Sequence, residues 1–200
     1  MSTKEKREYY ADTANSEVRP DLVVAAGMID PEKVAIDCGC GSGSDIAYLR
    51  KEGFTVHAFD IEETSIALCQ ERFKNDRAVY LSQDSFSSFI YPKSSLIVAD
   101  ASLFFCPENA FDFVWQNIYE SLHSNGIFCG SFLGPDDTMA SPTFDRDAFW
   151  PDVLVFEENT LRDKLTKFDI VLFNEHKVSG KTPRGVDHQW HVYSVVAKKI

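Results

Sequence analysis

The stretch Val34-Ala35-Ile36-Asp37-Cys38-Gly39-Cys40-Gly41-Ser42-Gly43 decides the fold. A short β-branched run ends in an acid and is followed at once by three glycines at alternate positions, ahead of a helical pattern through Ile46, Ala47 and Leu49. Glycine has no Cβ, so such a run allows a tight turn and close approach of backbone to a ligand; the stretch predicts strand, binding turn and helix in that order. A dinucleotide fingerprint would place its third glycine at Ser44, and a phosphate-binding P-loop would need Gly-Lys-Ser or Gly-Lys-Thr. Neither is present. A carboxylate at Asp37 is a poor neighbour for a pyrophosphate and a good one for a ligand ammonium group.

Working outward, short apolar runs alternate with helical periodicity along the whole chain, the pattern of a layered α/β domain. Arg19-Pro20 opens a helix through Leu22, Val23, Ala26 and Met28, and Gly53 stops the helix after the glycine turn. Strands are expected at 33–37, 55–61, 78–82, 96–99 and 126–133, with helices over 63–75 and 108–122. A helix over 159–168 precedes strands at 169–173 and 190–197. Residues 174–189 hold Gly180, Pro183 and Gly185 but no helical pattern, so the last two strands should form an antiparallel hairpin. The expectation is one domain over residues 1–200, a Rossmann-like doubly wound sheet of seven strands, six parallel and one reversed. Residues 135–151 leave the carboxyl end of the fifth strand, where open α/β sheets bind ligands, and form a candidate lid.

Composition narrows the function. The chain has 200 residues, enough for one core, and 31 acidic against 20 basic side chains leave a net charge of −11, which repels nucleic acid and anionic membrane surfaces. No apolar run approaches the roughly 20 residues of a membrane span, and the charged start with no apolar stretch after it leads to the expectation of an unexported chain. Five cysteines without framework spacing point to a reducing compartment, so a cytoplasmic protein, monomer or homodimer, is expected. Cys38 and Cys40 do not make a four-ligand zinc set and read as packing residues, as does His57; no metal is expected.

The motif Asp37-x-Gly39-x-Gly41-x-Gly43 resembles motif I of the class I S-adenosylmethionine-dependent methyltransferases. The second strand ends in Phe59-Asp60-Ile61, where the resemblance implies an acid on the two ribose hydroxyls; one carboxylate accepting from vicinal hydroxyls is sound chemistry in its own right. Asp84, in Gln83-Asp84-Ser85-Phe86, falls where the family contacts the adenine amino group. The implied cofactor is S-adenosylmethionine, with Asp37, Gly39, Gly41, Gly43, Asp60, Ile61, Asp84 and Ser85 around it. The competing reading makes the three acids helix caps and turn formers. The stretches 16–20, 126–130 and 190–197 are similar to small bacterial enzymes near the tellurite-resistance methyltransferases.

Methyl transfer from a sulfonium is an in-line displacement, so alignment supplies much of the catalysis, and a base is useful only for a protonated acceptor. Asp100, with Ser102 beside it, lies at the end of the fourth strand. The start of the reversed last strand brings His188, Trp190 and His191 to the same edge, His188 and Trp190 on one face and His191 on the other. Asp100 and His191 are the candidate catalytic residues; Tyr10, Trp150, His188 and Trp190 are the candidate acceptor contacts. The aromatic group Phe144, Phe149 and Trp150, with Lys181 and Arg184, would suit a planar or anionic small molecule. Two other functions are carried forward: a noncatalytic cofactor-binding sensor or subunit, and a nicotinamide-dependent oxidoreductase.

Overall fold

The computed structural model describes Tyr10, Thr13, Ala14 and residues 16–144, 152–182 and 185–200. In chain order the elements are α1 (Pro20–Gly27), β1 (Val34–Cys38), α2 (Ser44–Lys51), β2 (Thr55–Asp60), α3 (Glu63–Arg72), β3 (Val79–Gln83), β4 (Ser94–Ala99), α4 (Glu108–Ser121), β5 (Leu122–Leu133), α5 (Glu158–Lys164), β6 (Phe168–Lys181) and β7 (Asp187–Lys199). Short 3₁₀ turns at Leu103–Phe105 and Thr138–Ala140 follow β4 and β5. One seven-stranded sheet runs β3-β2-β1-β4-β5-β7-β6. β7 pairs antiparallel with both β5 and β6, and the other ladders are parallel, so six strands share one direction. Among the described residues no helix is long and apolar enough to cross a membrane.

Side-chain alternation along the strands divides the core. Ala35, Val56, Val98, Cys129 and Val196 face α1, α2 and α3, where Leu22, Ile46, Leu49 and Ile66 cover them. Ile36, Ile97, Phe128 and Tyr193 face α4 and α5. α4 carries Phe111, Val114, Trp115 and Ile118 at three- and four-residue spacings, which puts all four on one buried stripe. Trp115 meets Phe128 edge-on at 5.0 Å and donates its indole N–H to the Lys164 carbonyl at 3.1 Å, tying α4 to the end of α5.

Two expectations need correction. The helix near residue 160 ends at Lys164, and Phe168 already belongs to β6. Residues 174–181 and 187–189, expected as a loop, are strand: Lys177 pairs with His191 and Lys181 with Asp187, leaving only a short turn between the strands. The reason lies in exposure. β5 ends where Leu133 meets Val192, so the hairpin continues past the sheet as a two-stranded ribbon whose β6 side is solvated. Cross-strand backbone bonds hold it with little apolar alternation to mark it in sequence.

Removing the Trp115 side chain empties the centre of one core layer. Trp115→Ala should lower unfolding free energy by about 3–5 kcal/mol in a urea titration.

Candidate functional site

The parallel register sets Asp37 beside Val98 of β4 and Asp60 beside Gln83 of β3, so the strand ends open onto one edge. There the glycine turn is held from below. The Phe59 carbonyl accepts from the N–H groups of Gly39 (2.8 Å) and Cys40 (3.0 Å). Asp60 accepts from the Gly41 N–H on Oδ2 and from the Glu62 N–H on Oδ1, both at 2.9 Å. Ser65 of α3 donates to the Gly41 carbonyl at 2.6 Å. Burial pushes the Asp60 pKa up, and the two backbone donors work against that rise. Each carboxylate oxygen keeps lone-pair capacity beyond its one N–H, enough to accept from a vicinal diol. Ile61, next to it, is half exposed at the rim.

Gly39 has φ +74°, and a Cβ there would sit 2.6 Å from the Ser102 Cβ. The glycine is therefore required by conformation and by space. The Ser102 hydroxyl also donates to the Cys38 carbonyl at 2.6 Å, clamping the exit of β4 onto the turn. From the other side Tyr10 is buried with its ring against Gly41, and Thr13 donates to the Ser42 hydroxyl at 3.2 Å. At the end of β3, the Asp84 N–H donates to the Asp60 carbonyl at 3.1 Å, which ties the two acidic strand ends together. Asp84 Oδ1 accepts from Ser88, and the Ser85 N–H donates to the Ser88 hydroxyl, so a local turn orders this corner.

An unequal charge distribution lies on the α1–α2 side. Arg19, at the N-terminal end of α1, pairs with Asp21 (2.9 Å), Asp45 (2.9 Å) and Asp100 (3.1 Å). Burial opposes its charge, yet the three carboxylates hold the guanidinium protonated even more firmly than in water. Asp37 is buried, and its Oδ2 has no hydrogen-bond partner. Desolvation raises the pKa of Asp37, nearby Asp45 raises it further, and Arg19 opposes both. Burial likewise raises that of Asp100, against the pull of Arg19. An orphaned buried acid beside a guanidinium presents complementary partners for the ammonium and carboxylate of an amino-acid group. Arg19 is the site residue that sequence reasoning missed. The available signal was its position, immediately before the proline that starts a helix, which leaves its side chain at the helix's edge-facing end.

Beyond the end of β5, Phe104, Leu133, Val153, Phe105, Met139 and Val192 form a separate apolar cluster. Above it the segment after β5 is fastened to the hairpin by Asp137, whose fully buried carboxylate accepts from the backbone N–H groups of Met139 and His191 and lies 3.2 Å from His188 Nε2. Thr138 accepts from the Gln189 N–H at 2.8 Å. His188 and Trp190 stand 4.7 Å apart on one face, and Trp190 covers Gly180. His191 is buried on the opposite face. Its Nδ1 accepts from the Asp136 N–H at 3.0 Å, so Nε2 carries the proton and donates to Glu175 at 3.0 Å. Both ring nitrogens are occupied, which makes His191 a fastener between the post-β5 segment and β6 in this arrangement. Asp100, the other expected catalytic residue, is committed to Arg19. Phe149, Trp150 and Arg184 lie outside the described residues. Among the described residues no three His, Cys, Asp or Glu side chains are grouped to hold a metal ion.

The family model described as "Tellurite resistance protein TehB" matches residues 1–182. The chain belongs to the TehB family. Its sequence is 25% identical over 178 residues to a Haemophilus influenzae (strain 10810) protein described as a probable S-adenosyl-L-methionine-dependent methyltransferase TehB, a match covering 86% of this chain and 58% of that protein. This TehB-family chain thus spans less than two thirds of the curated relatives' length. Among solved structures, TehB from Haemophilus influenzae superposes with a TM-score of 0.78 at 21% identity, covering 98% of this chain and 67% of that one. A Burkholderia thailandensis 1,6-didemethyltoxoflavin-N1-methyltransferase, solved with 1,6-didemethyltoxoflavin and S-adenosylhomocysteine, gives 0.70 at 20% identity over 98% and 83% of the two chains. The fold is that of these methyltransferases.

The buried acid gives a signed pH test. The folded-state pKa of Asp37 lies above its ordinary value of 3.8, so its contribution favours the fold below that value and turns unfavourable as pH rises through the folded-state pKa. Asp37→Asn should therefore raise the Tm of the ligand-free protein at pH 8, with the gain vanishing below about pH 4, in paired scanning-calorimetry runs.

Proposed function

We propose that this TehB-family chain is an S-adenosylmethionine-dependent methyltransferase acting on a small molecule. The observation that carries the reading is the pairing, at one edge, of a turn closed by Asp60 with an orphaned buried acid beside Arg19. The donor set fits the cofactor: Asp60 for the ribose diol, Asp84 and Ser85 with exposed Ile61 for the adenine, Asp37 for the ammonium and Arg19 for the carboxylate. Gly39, Gly41 and Gly43 supply backbone that a side chain would otherwise cover. When bound, the cofactor supplies an electrophilic methyl group on a sulfonium for in-line displacement.

The chain's own part is alignment and exclusion of water. Ser102 fixes the β4 exit, and the Phe104–Met139–Val192 cluster walls the acceptor side with apolar surface. Asp137 holds His188 toward that side with Nε2–H donated to the carboxylate, which leaves Nδ1 as the acceptor for a proton lost from an amine, thiol or hydroxyl. Asp100 then serves to orient Arg19. Residues 135–151 act as the acceptor lid, anchored at Asp137. Lys181, a ribbon cation paired with Asp187, offers a positive charge to an anionic acceptor, and tellurite is the acceptor that the family description puts first for trial.

Calorimetry with S-adenosylhomocysteine tests the cofactor half. Asp60→Ala should weaken binding by about 1.5–3 kcal/mol and also lower Tm, because Gly41 and Glu62 lose their acceptor. Unchanged affinity would remove Asp60 from the ribose site. Methyl-labelled cofactor incubated with tellurite and with a dialysed small-metabolite pool tests turnover: label in a small product supports the enzyme, and binding without transfer supports a sensor. For the acceptor half, Asp137→Asn should raise the acceptor KM several-fold while leaving the cofactor Kd within twofold; the reverse pattern would break the division of the site.

A further inference from the structure

Two thiols lie at the glycine turn, one within it and one on the helix that packs against it. Cys40 is part of the turn, between Gly39 and Gly41, and Cys69 stands on α3 one helical turn after Ser65; both are buried. Cys69 Sγ lies 3.4 Å from the Gly41 carbonyl, the same oxygen that Ser65 holds at 2.6 Å. Cys40 Sγ lies 4.0 Å from that Ser65 hydroxyl. A Cβ on Gly43 would come within 3.0 Å of Cys69 Sγ, so this sulfur sits directly under the turn. The two thiols are close enough for each to shift the other's ionisation. Cys38, although close in sequence, points into the opposite core layer.

The pair is polarised. Cys40 lowers the pKa of Cys69, and Arg72 adds to the effect, whereas Cys69 and burial raise that of Cys40. By contrast, burial pushes the Cys106 thiol up to about 11. The Cys69 sulfur is therefore the better nucleophile of the two, with a candidate resolving thiol beside the same turn.

We propose that Cys40 and Cys69 form a peroxide-oxidisable dithiol whose disulfide ties the glycine turn to α3 and shuts off cofactor binding. In the first step the Cys69 sulfur attacks hydrogen peroxide, the O–O bond breaks, and the departing oxygen leaves as water with the thiol proton, giving a sulfenic acid. In the second the Cys40 sulfur attacks Cys69, the S–O bond breaks, and the hydroxyl leaves as water with the Cys40 proton. Two thiols are oxidised and one peroxide is reduced to two waters. The new bond draws the sulfurs well inside van der Waals contact. The turn must take up that movement, because Cys40 lies between two of the glycines whose backbone forms the binding surface. The loss-of-binding half rests on the reading of this turn as the S-adenosylmethionine site.

The test treats the ligand-free protein with hydrogen peroxide, maps linkages by mass spectrometry, and measures S-adenosylhomocysteine affinity before treatment, after it, and after dithiothreitol. The expected result is a 40–69 linkage, a mass loss of two hydrogens, and affinity at least tenfold weaker that returns on reduction. Cys69→Ser should show neither the linkage nor the peroxide-induced change in affinity. No 40–69 linkage in treated wild type overturns the dithiol. A linkage with unchanged affinity overturns the switch. Untreated protein that does not bind S-adenosylhomocysteine overturns the cofactor reading and the switch with it, while the mapped linkage still decides the dithiol.

Discussion

The hydrogen bond from the Gly41 N–H to the Asp60 carboxylate is the constraint on which the candidate site depends. It joins the loop after β1 to the end of β2, and the second Asp60 oxygen joins both to the start of α3 through Glu62. Parallel neighbours are required for this, since only parallel strands deliver successive loops to the same edge. One buried carboxylate thus shapes the turn and remains available to a ligand. Buried polar groups with all partners in place are rigid, and a rigid turn presents its backbone with little ordering left to do.

The second element is electrostatic. Around Arg19 stand Asp21, Asp45 and Asp100, with Asp37 buried nearby and unpartnered. One cation among four acids leaves local charge unbalanced where solvent is scarce, a cost that a folded chain keeps only where something is gained by it. A ligand carrying its own ammonium relieves Asp37 without disturbing the pairs that orient Arg19.

Much of the frame was legible before any coordinates. The acid and glycines from Asp37 to Gly43 are local; backbone freedom marks them as a tight turn open to a ligand, and the family resemblance implies which ligand. Asp60 and Asp84 do stand at the ends of neighbouring parallel strands, and their assignment to ribose and adenine is what the resemblance to the class I methyltransferases implies. Arg19 and Asp137 were not legible in the same way, since their roles arise from partners 81 and 54 residues distant, Asp100 and His191. The length of the hairpin was missed for a different reason. Residues 174–181 face solvent, so burial imposes no alternation on them, and the strand is sustained by pairing with β7. His191 looked like a base because its edge position was right; its surroundings, contributed by Asp136 and Glu175, use up both nitrogens.

The same solvated hairpin bears on how the chain behaves among its own copies. β6 is an outer strand of 14 residues with unpaired backbone along its free side, the kind of border on which chains assemble into sheets. Here that border carries Asp169, Glu175, Lys177 and Lys181, and its ladder with β7 slips register between Ile170 and Leu172. Charges spaced along it and a break in its straightness deny an incoming strand a continuous template. The ribbon can therefore extend past the end of β5 without seeding aggregation.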